Sequence, residues 1–240
     1  GTTTPWYAIS LDGQGVARSR PTSYRIAMAT VGFDPLAGLP DYSDSAFNWD
    51  GEVHLVQFHT QVLAEYRAAL EELGARVYDH LVNHTLIVRM TPEVRSAVEA
   101  LEVVRWVGPF HPELRLEPGI SQALAADSLA DDQIYNVAVF ERGPEQKGLV
   151  SARIEAMGGT TRGVFPEGFR FQAELTPALV QAVIGMPEVA SLDRWAPGGP
   201  DMDIARDFSG ANYLESQTGL TGQGVRGEIF DTEFNLNHVD

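Results

Sequence analysis

An internal repeat constrains this chain more than any other feature. A helix opening at Thr91-Pro92 carries an apolar stripe of Val94, Ala97, Val98 and Leu101; 85 positions on, Thr176-Pro177 opens a second helix with Leu179, Ala182, Val183 and Met186 in the same register. Glu102-Val103 then recurs as Glu188-Val189. A capped start, four stripe positions and a strand onset do not readily recur together by chance, so the chain reads as tandem copies of one fold. In the first copy, residues 53–58 read as a strand, and 61–73 as a helix with Val62, Tyr66, Ala69, Leu70 and Leu73 on one face and Gly74 beyond its end. Residues 77–81 and 85–90 read as two strands about a turn at Asn83-His84, and 103–107 as the last strand. The order is βαββαβ, the split-βαβ or ferredoxin-like unit. The second copy shows a strand at 134–140, a helix at 146–157 ended by Gly158-Gly159, and a strand at 169–175 running into the second Thr-Pro helix.

The repeats divide the chain. Residues 1–51 form an N-terminal arm, 52–116 the first unit, 117–131 a linker of small and acidic residues, 132–196 the second unit, and 197–221 a Gly-rich and polar stretch with a short helix expected within 204–217. The arm has one strand-like run, 24–31. Its rings Trp6, Tyr7, Tyr24, Phe33 and Trp49 are too many to leave in water, so the arm is expected to pack on the residues C-terminal to it.

Charge and composition exclude several function classes. A net charge of −16 repels phosphate backbones and anionic lipid surfaces, so neither nucleic acid nor membrane is expected as a partner. No run approaches the apolar length of a membrane span, and the opening Gly1-Thr2-Thr3-Thr4 lacks the basic and apolar regions of a signal peptide, so the chain is expected to start after any such segment. With no cysteine there is no disulfide, thiol nucleophile or thiolate metal site.

The last segment, 222–240, reads GQGVRGEIFDTEFNLNHVD. Gly222 and Gly224 break the chain, Val225 and Ile229 have the spacing of one strand face, and Asp231-Thr232 stand where that strand runs out. Acidic side chains at the carboxyl ends of strands in α/β sheets sit where such folds build active sites. The Gly222-x-Gly224-x-x-Gly227 string fits a dinucleotide fingerprint only as text, because its glycines precede a strand rather than follow one.

This wording resembles the aspartate motif of the subtilisin-like serine proteases, in which a Gly-rich lead-in and a short strand deliver Asp-Thr-Gly, followed by His-x-Asp. Here Glu233 stands in place of the Gly, and His238 and Asp240 form the tail. Propeptides of that family are βαββαβ units directly ahead of the catalytic domain, so the resemblance extends over about 52–240. It implies an α+β chain: two tandem ferredoxin-like units followed by the first strand of an α/β subtilisin-like catalytic domain. On it, Asp231 is the triad aspartate of a secreted serine endopeptidase acting on polypeptides, and the catalytic His and Ser come from the remainder of the catalytic domain, the expected partner. The tandem units would aid folding and block the cleft. Asp240 matches a position that often ligates a structural calcium, an ion that suits hard oxygen ligands. The alternative is a non-catalytic protein-binding or protease-inhibitor module, which Glu233 favours.

His54, His59, His80 and His84 all fall in the first unit. With no His-Glu-x-x-His or Cys partner they read as surface or sheet histidines rather than a metal site. The better functional alternative is pH sensing in release of the pro-region.

Overall fold

The computed structural model describes residues 4–10, 13–16, 18–28, 31–42, 51–196, 202–221 and 223–224. They form two compact units, residues 1–195 and 196–240. The fold is α+β.

In the arm, β1 (Trp6–Ile9) pairs with β2 (Arg18–Pro21), and β3 (Ile26–Ala27) with β4 (Gly32–Phe33). The strand-like run 24–31 thus contributes two strand residues among those described. The first repeat is β5 (Val53–Phe58), α1 (Ala64–Glu72), β6 (Arg76–Leu81), β7 (Thr85–Arg89), α2 (Pro92–Glu99) and β8 (Val104–Pro109), its strands ordered β6-β7-β5-β8 and all antiparallel. The second is β9 (Gln133–Val139), α4 (Pro144–Ala156), β10 (Thr160–Arg162), β11 (Arg170–Leu175), α5 (Pro177–Ile184) and β12 (Val189–Arg194), ordered β10-β11-β9-β12. Taken by position in the repeat, the two orders are the same. Three-residue β10 has no counterpart among the expected strands, because Thr-Thr-Arg carries no apolar face to announce it.

Local chemistry places these elements. The Thr91 and Thr176 hydroxyls each accept from the backbone N–H three residues on, capping helices whose proline sits at the first turn. The hairpin between β6 and β7 turns through Asn83 (φ 59°) and His84 (φ 67°), the left-handed pair that a tight antiparallel turn requires. Lys147 of α4 is fully buried, and its ammonium donates to the backbone carbonyls of Phe165 and Glu167, which ties down the 163–168 loop.

Each sheet sets one face against its two helices. Val56, Phe58, Leu70, Leu86, Val88 and Val98 fill the first core; Val137, Val150, Ile154, Phe171, Val183 and Leu192 fill the second. The stripe expected on α5 is rotated: Val180, Val183 and Ile184 are fully buried, while Leu179 and Met186 only flank the core and Ala182 is half-buried. The cause lies in the stretch expected as a linker. Residues 117–131 contain α3 (Pro118–Ala125), and Leu116 and Ile120 are buried in the same cluster as Val180 and Ile184, with Leu124 and Leu129 packed against it. Leu116 also bridges Leu192, and the Glu117 N–H donates to the Leu192 carbonyl, so this segment lies along the β12 edge. Among the described residues the first repeat has no such cover. At the positions matching Val180 and Ile184 it has Arg95 and Glu99, an exposed ion pair at 2.7 Å.

The second compact unit holds α6 (Met202–Phe208) and α7 (Ala211–Thr218), so the expected short helix is two, broken at Gly210 (φ 74°).

This asymmetry between repeats predicts opposite sensitivities at matched positions. Ile184→Glu, which writes the first repeat's residue into a fully buried site, should destabilise the 1–195 unit by about 3 kcal/mol or more. Glu99→Ala, which deletes an exposed i,i+4 pair, should cost no more than about 0.5 kcal/mol. Urea unfolding of both variants checks this, and equal midpoints would contradict the cover by α3.

Candidate functional site

The two repeats differ most on the sheet faces that point away from their helices. On the first, the outward residues of β5, β7 and β8 include Val53, Leu55, Gln57, Thr85, Ile87, Trp106 and Gly108, with Arg89 at the end of the face. At matching positions the second has Ile134, Asn136, Ala138, Arg170, Gln172, Ser191 and Asp193, with Glu174 at the end of the face. An apolar outer face needs a cover, and a polar one can meet water.

The arm supplies the cover. Ile26 and Phe33 are buried with Val53, Leu55, Ile87, Phe110 and Leu114, and Met28, Val31 and Tyr42 pack around them. The Trp106 ring lies across Gly108, where any β-carbon would meet it at 1.9 Å. A polar clamp fixes the arm in register. Fully buried Gln57 donates to the Tyr24 carbonyl (3.0 Å) and accepts from Arg105 (2.6 Å). Arg105 sits at the β5–β8 bulge, donates to Asp34 of the arm (2.8 Å), and lays its guanidinium over the Tyr24 ring at 4.1 Å. Of the arm's rings, Tyr7 reaches Gln61 and Tyr24 reaches the His59 carbonyl, but Trp6 is 64% exposed, contrary to expectation. Trp49 lies outside the described residues.

The second sheet keeps its outer face open among the described residues of its unit. Asn136 donates to Asp193 (2.8 Å) and Arg162 pairs with Glu174 (2.7 Å), so the face is polar and locally balanced in charge. Where the repeats meet, Tyr78 of β6 stacks on Phe140 with centroids 4.4 Å apart, and Arg76 pairs with Glu141 at 2.9 Å. Glu188, nearly buried, takes Arg153 of its own repeat at 2.9 Å and Arg89 of the first at 3.8 Å. Arg89 also pairs with Glu52 at 2.7 Å; burial opposes its charge, but its hydrogen bonds hold its pKa above even the usual arginine range.

Asp231, His238 and Asp240, the residues singled out by the aspartate motif and its tail, lie outside the described residues, as does the expected strand before them. The four histidines do not converge. Among the described residues, no three of His, Asp, Glu or Cys are grouped to hold a metal. His59 and His80 are exposed. His54 is buried on β5, its Nδ1 donating to the Glu52 carbonyl at 3.0 Å. His84 is half-buried against the edges of Tyr7 and Tyr24, with Nε2 at 2.5 Å from the Thr22 hydroxyl. Burial lowers the pKa of both. For His54 the Glu52 carbonyl offsets part of this, Arg95 adds to it and Glu99 opposes it.

Sequence reasoning missed the Gln57–Arg105–Asp34 clamp and the Glu188 junction. The readable signal was an arginine inside an otherwise apolar strand pattern, and polar residues alternating on one face of the second repeat but not of the first.

One comparison with known families bears on the chain: a domain of unknown function (DUF8729) matches residues 27–111. The matched segment begins at the last residue of β3 and ends just after β8, so it takes in the first sheet and the arm strand β4, whose Phe33 helps cover it. No curated protein and no solved structure matches the chain.

The histidines set a pH dependence with a definite sign. Both folded pKa values lie below the usual value of about 6.5, so the unfolded chain binds protons first. Their contribution to stability is therefore complete above about pH 6.5 and falls as the pH drops below it. Urea midpoints should be lower at about pH 5.5 than at 7.5, and His54→Gln with His84→Gln should remove most of that difference. A wild-type slope unchanged in the double variant would contradict the assignment.

Proposed function

We propose that this chain is the pro-region and the start of the catalytic domain of a subtilisin-like serine endopeptidase. The observation that carries the reading is the succession along the chain: two ferredoxin-like units, then a Gly-rich lead-in delivering Asp231-Thr232 and a His238-x-Asp240 tail. In such an enzyme, the Asp231 carboxylate accepts the hydrogen bond of the catalytic histidine's Nδ1–H, fixing its tautomer and stabilising the imidazolium formed when serine gives up its proton. The histidine and serine belong to the remainder of the catalytic domain. Asp240 is the residue that would contribute to a structural calcium site.

The two sheet faces favour a division of labour. The arm occupies the first outer face, so the second unit, with its open polar face, is the one suited to sit on the catalytic domain. The second reading is a non-catalytic binding module, and Glu233, a side chain where the motif has glycine, is what favours it.

A fragment of residues 1–195 should inhibit the mature catalytic domain. The arm belongs in it, because without the arm Val53, Leu55 and Ile87 would be bared. Asp231→Asn in the whole enzyme should lower kcat about 10⁴-fold with the fold intact. Unchanged peptidase activity under a large excess of fragment at about pH 7.5 would overturn the inhibitory role. A whole protein that hydrolyses no peptide would favour the binding-module reading, and hydrolysis that survives Asp231→Asn would overturn the assignment of Asp231 as the triad aspartate.

A further inference from the structure

A cleft of about 420 Å³ opens where the two repeats meet, within the size range of small-ligand sites. Its wall from the first repeat is Tyr78 and Ile87 with Phe110; its wall from the second is Ala138, Phe140 and Phe169, with Ala190 beside them. The cleft is roomy because of those alanines. Ala138 stands where the first repeat has Gln57, and two methyl groups leave the space between the rings unfilled. Two charged residues line it, one from each repeat: Asp79 of β6 and Arg170 of β11.

Neither charge is used up. Arg170 projects on the outer face of the second sheet, opposite in register to Ala138, and has no ion-pair partner among the described residues. Asp79 accepts from the His80 backbone N–H through Oδ1 at 2.7 Å and has the exposed His80 ring Nδ1 at 3.4 Å, yet most of its side chain stays in water and open to a ligand. Of the other ionic groups nearby, Arg76 pairs with Glu141, and Arg142 lies over the Phe169 ring at 5.1 Å, behind the cleft's own wall. Aromatic and aliphatic walls with a lining cation that has no ion pair among the described residues and an accessible anion make up a site that complements a zwitterion with a large apolar side chain.

We propose that this cleft binds a free α-amino acid with a large apolar side chain. The side chain lies among Tyr78, Phe110, Phe140 and Phe169, the α-carboxylate is taken by Arg170, and the α-ammonium by Asp79. Because its walls come from different repeats, the ligand bridges them and holds their junction closed. The site uses only residues of the 1–195 unit and does not need the protease reading, but Arg170 and Ala138 lie on the outer face which that reading sets on the catalytic domain.

The test is a methyl chemical-shift titration of the full chain with L-phenylalanine, followed at Ile87, Ala138, Val139 and Ala190. Saturable shifts confined to these methyls are expected, weakened at least about tenfold in Arg170→Gln. L-Phenylalaninamide, which lacks the carboxylate charge, should lose the same factor on the wild-type protein, a check that does not depend on the variant folding. N-Acetyl-L-phenylalanine should also bind at least about tenfold more weakly, through loss of the Asp79 contact. Absence of saturation with L-phenylalanine, or equal affinity for the amide, overturns the proposal. Equal affinity for the N-acetyl compound overturns the free amino acid in favour of a peptide's last residue.

Discussion

A four-stranded sheet with both helices on one side has a second face, and the rest of this structure depends on what becomes of it. In the first repeat that face is apolar, and Val53, Leu55 and Ile87 are removed from water by the arm. Apolar contact alone does not define a register, because a loop segment can slide over a greasy surface. Gln57, Arg105 and Asp34 supply the definition. Arg105 is nearly buried, and its charge is tolerable only because Asp34, the Gln57 oxygen and the Tyr24 ring converge on it. The arm is thereby an integral layer of the first repeat, which agrees with a family match that includes both.

The second repeat solves the same problem by sequence substitution. Asn136, Gln172, Ser191 and Asp193 occupy positions where the first has Leu55, Ile87, Trp106 and Gly108. Its added layer goes elsewhere: α3 and Leu116 lie by the β12 edge and the α5 flank, and the extra apolar residues Val180 and Ile184 follow from it. Glu188 then joins the two solutions. Set between Arg89 and Arg153, this nearly buried carboxylate would be expensive with either guanidinium missing, so it favours the one arrangement in which β7 of the first repeat lies beside α4 of the second.

Much of this was legible in the residues. The βαββαβ order, the Thr-Pro caps at Thr91 and Thr176, and the Asn83-His84 turn follow from local rules, which act within a few residues. What was not legible came from long-range packing. The α5 stripe was misplaced by about a third of a turn because a helix read as linker supplies the cover that makes Val180 and Ile184 core. Thr160–Arg162 forms a strand only because β11 offers it an edge. The aspartate motif rests on resemblance alone, since Asp231 and Asp240 lie outside the described residues.

On the proposed reading, the contrast between the two faces has a kinetic meaning. A polar outer face with paired Asn136–Asp193 and Arg162–Glu174 offers few buried apolar anchors, so its affinity for a separate partner should be modest for its area. Joined to that partner in one chain, it acts at an effective concentration of about millimolar order, and modest affinity then suffices to keep a cleft covered. Cutting the connection removes that advantage without altering a single contact. A strongly apolar face, like the one the arm covers in the first repeat, would instead remain bound after the cut. An open polar face on the unit nearer the aspartate motif and a sealed apolar face on the farther one is therefore the arrangement that permits release.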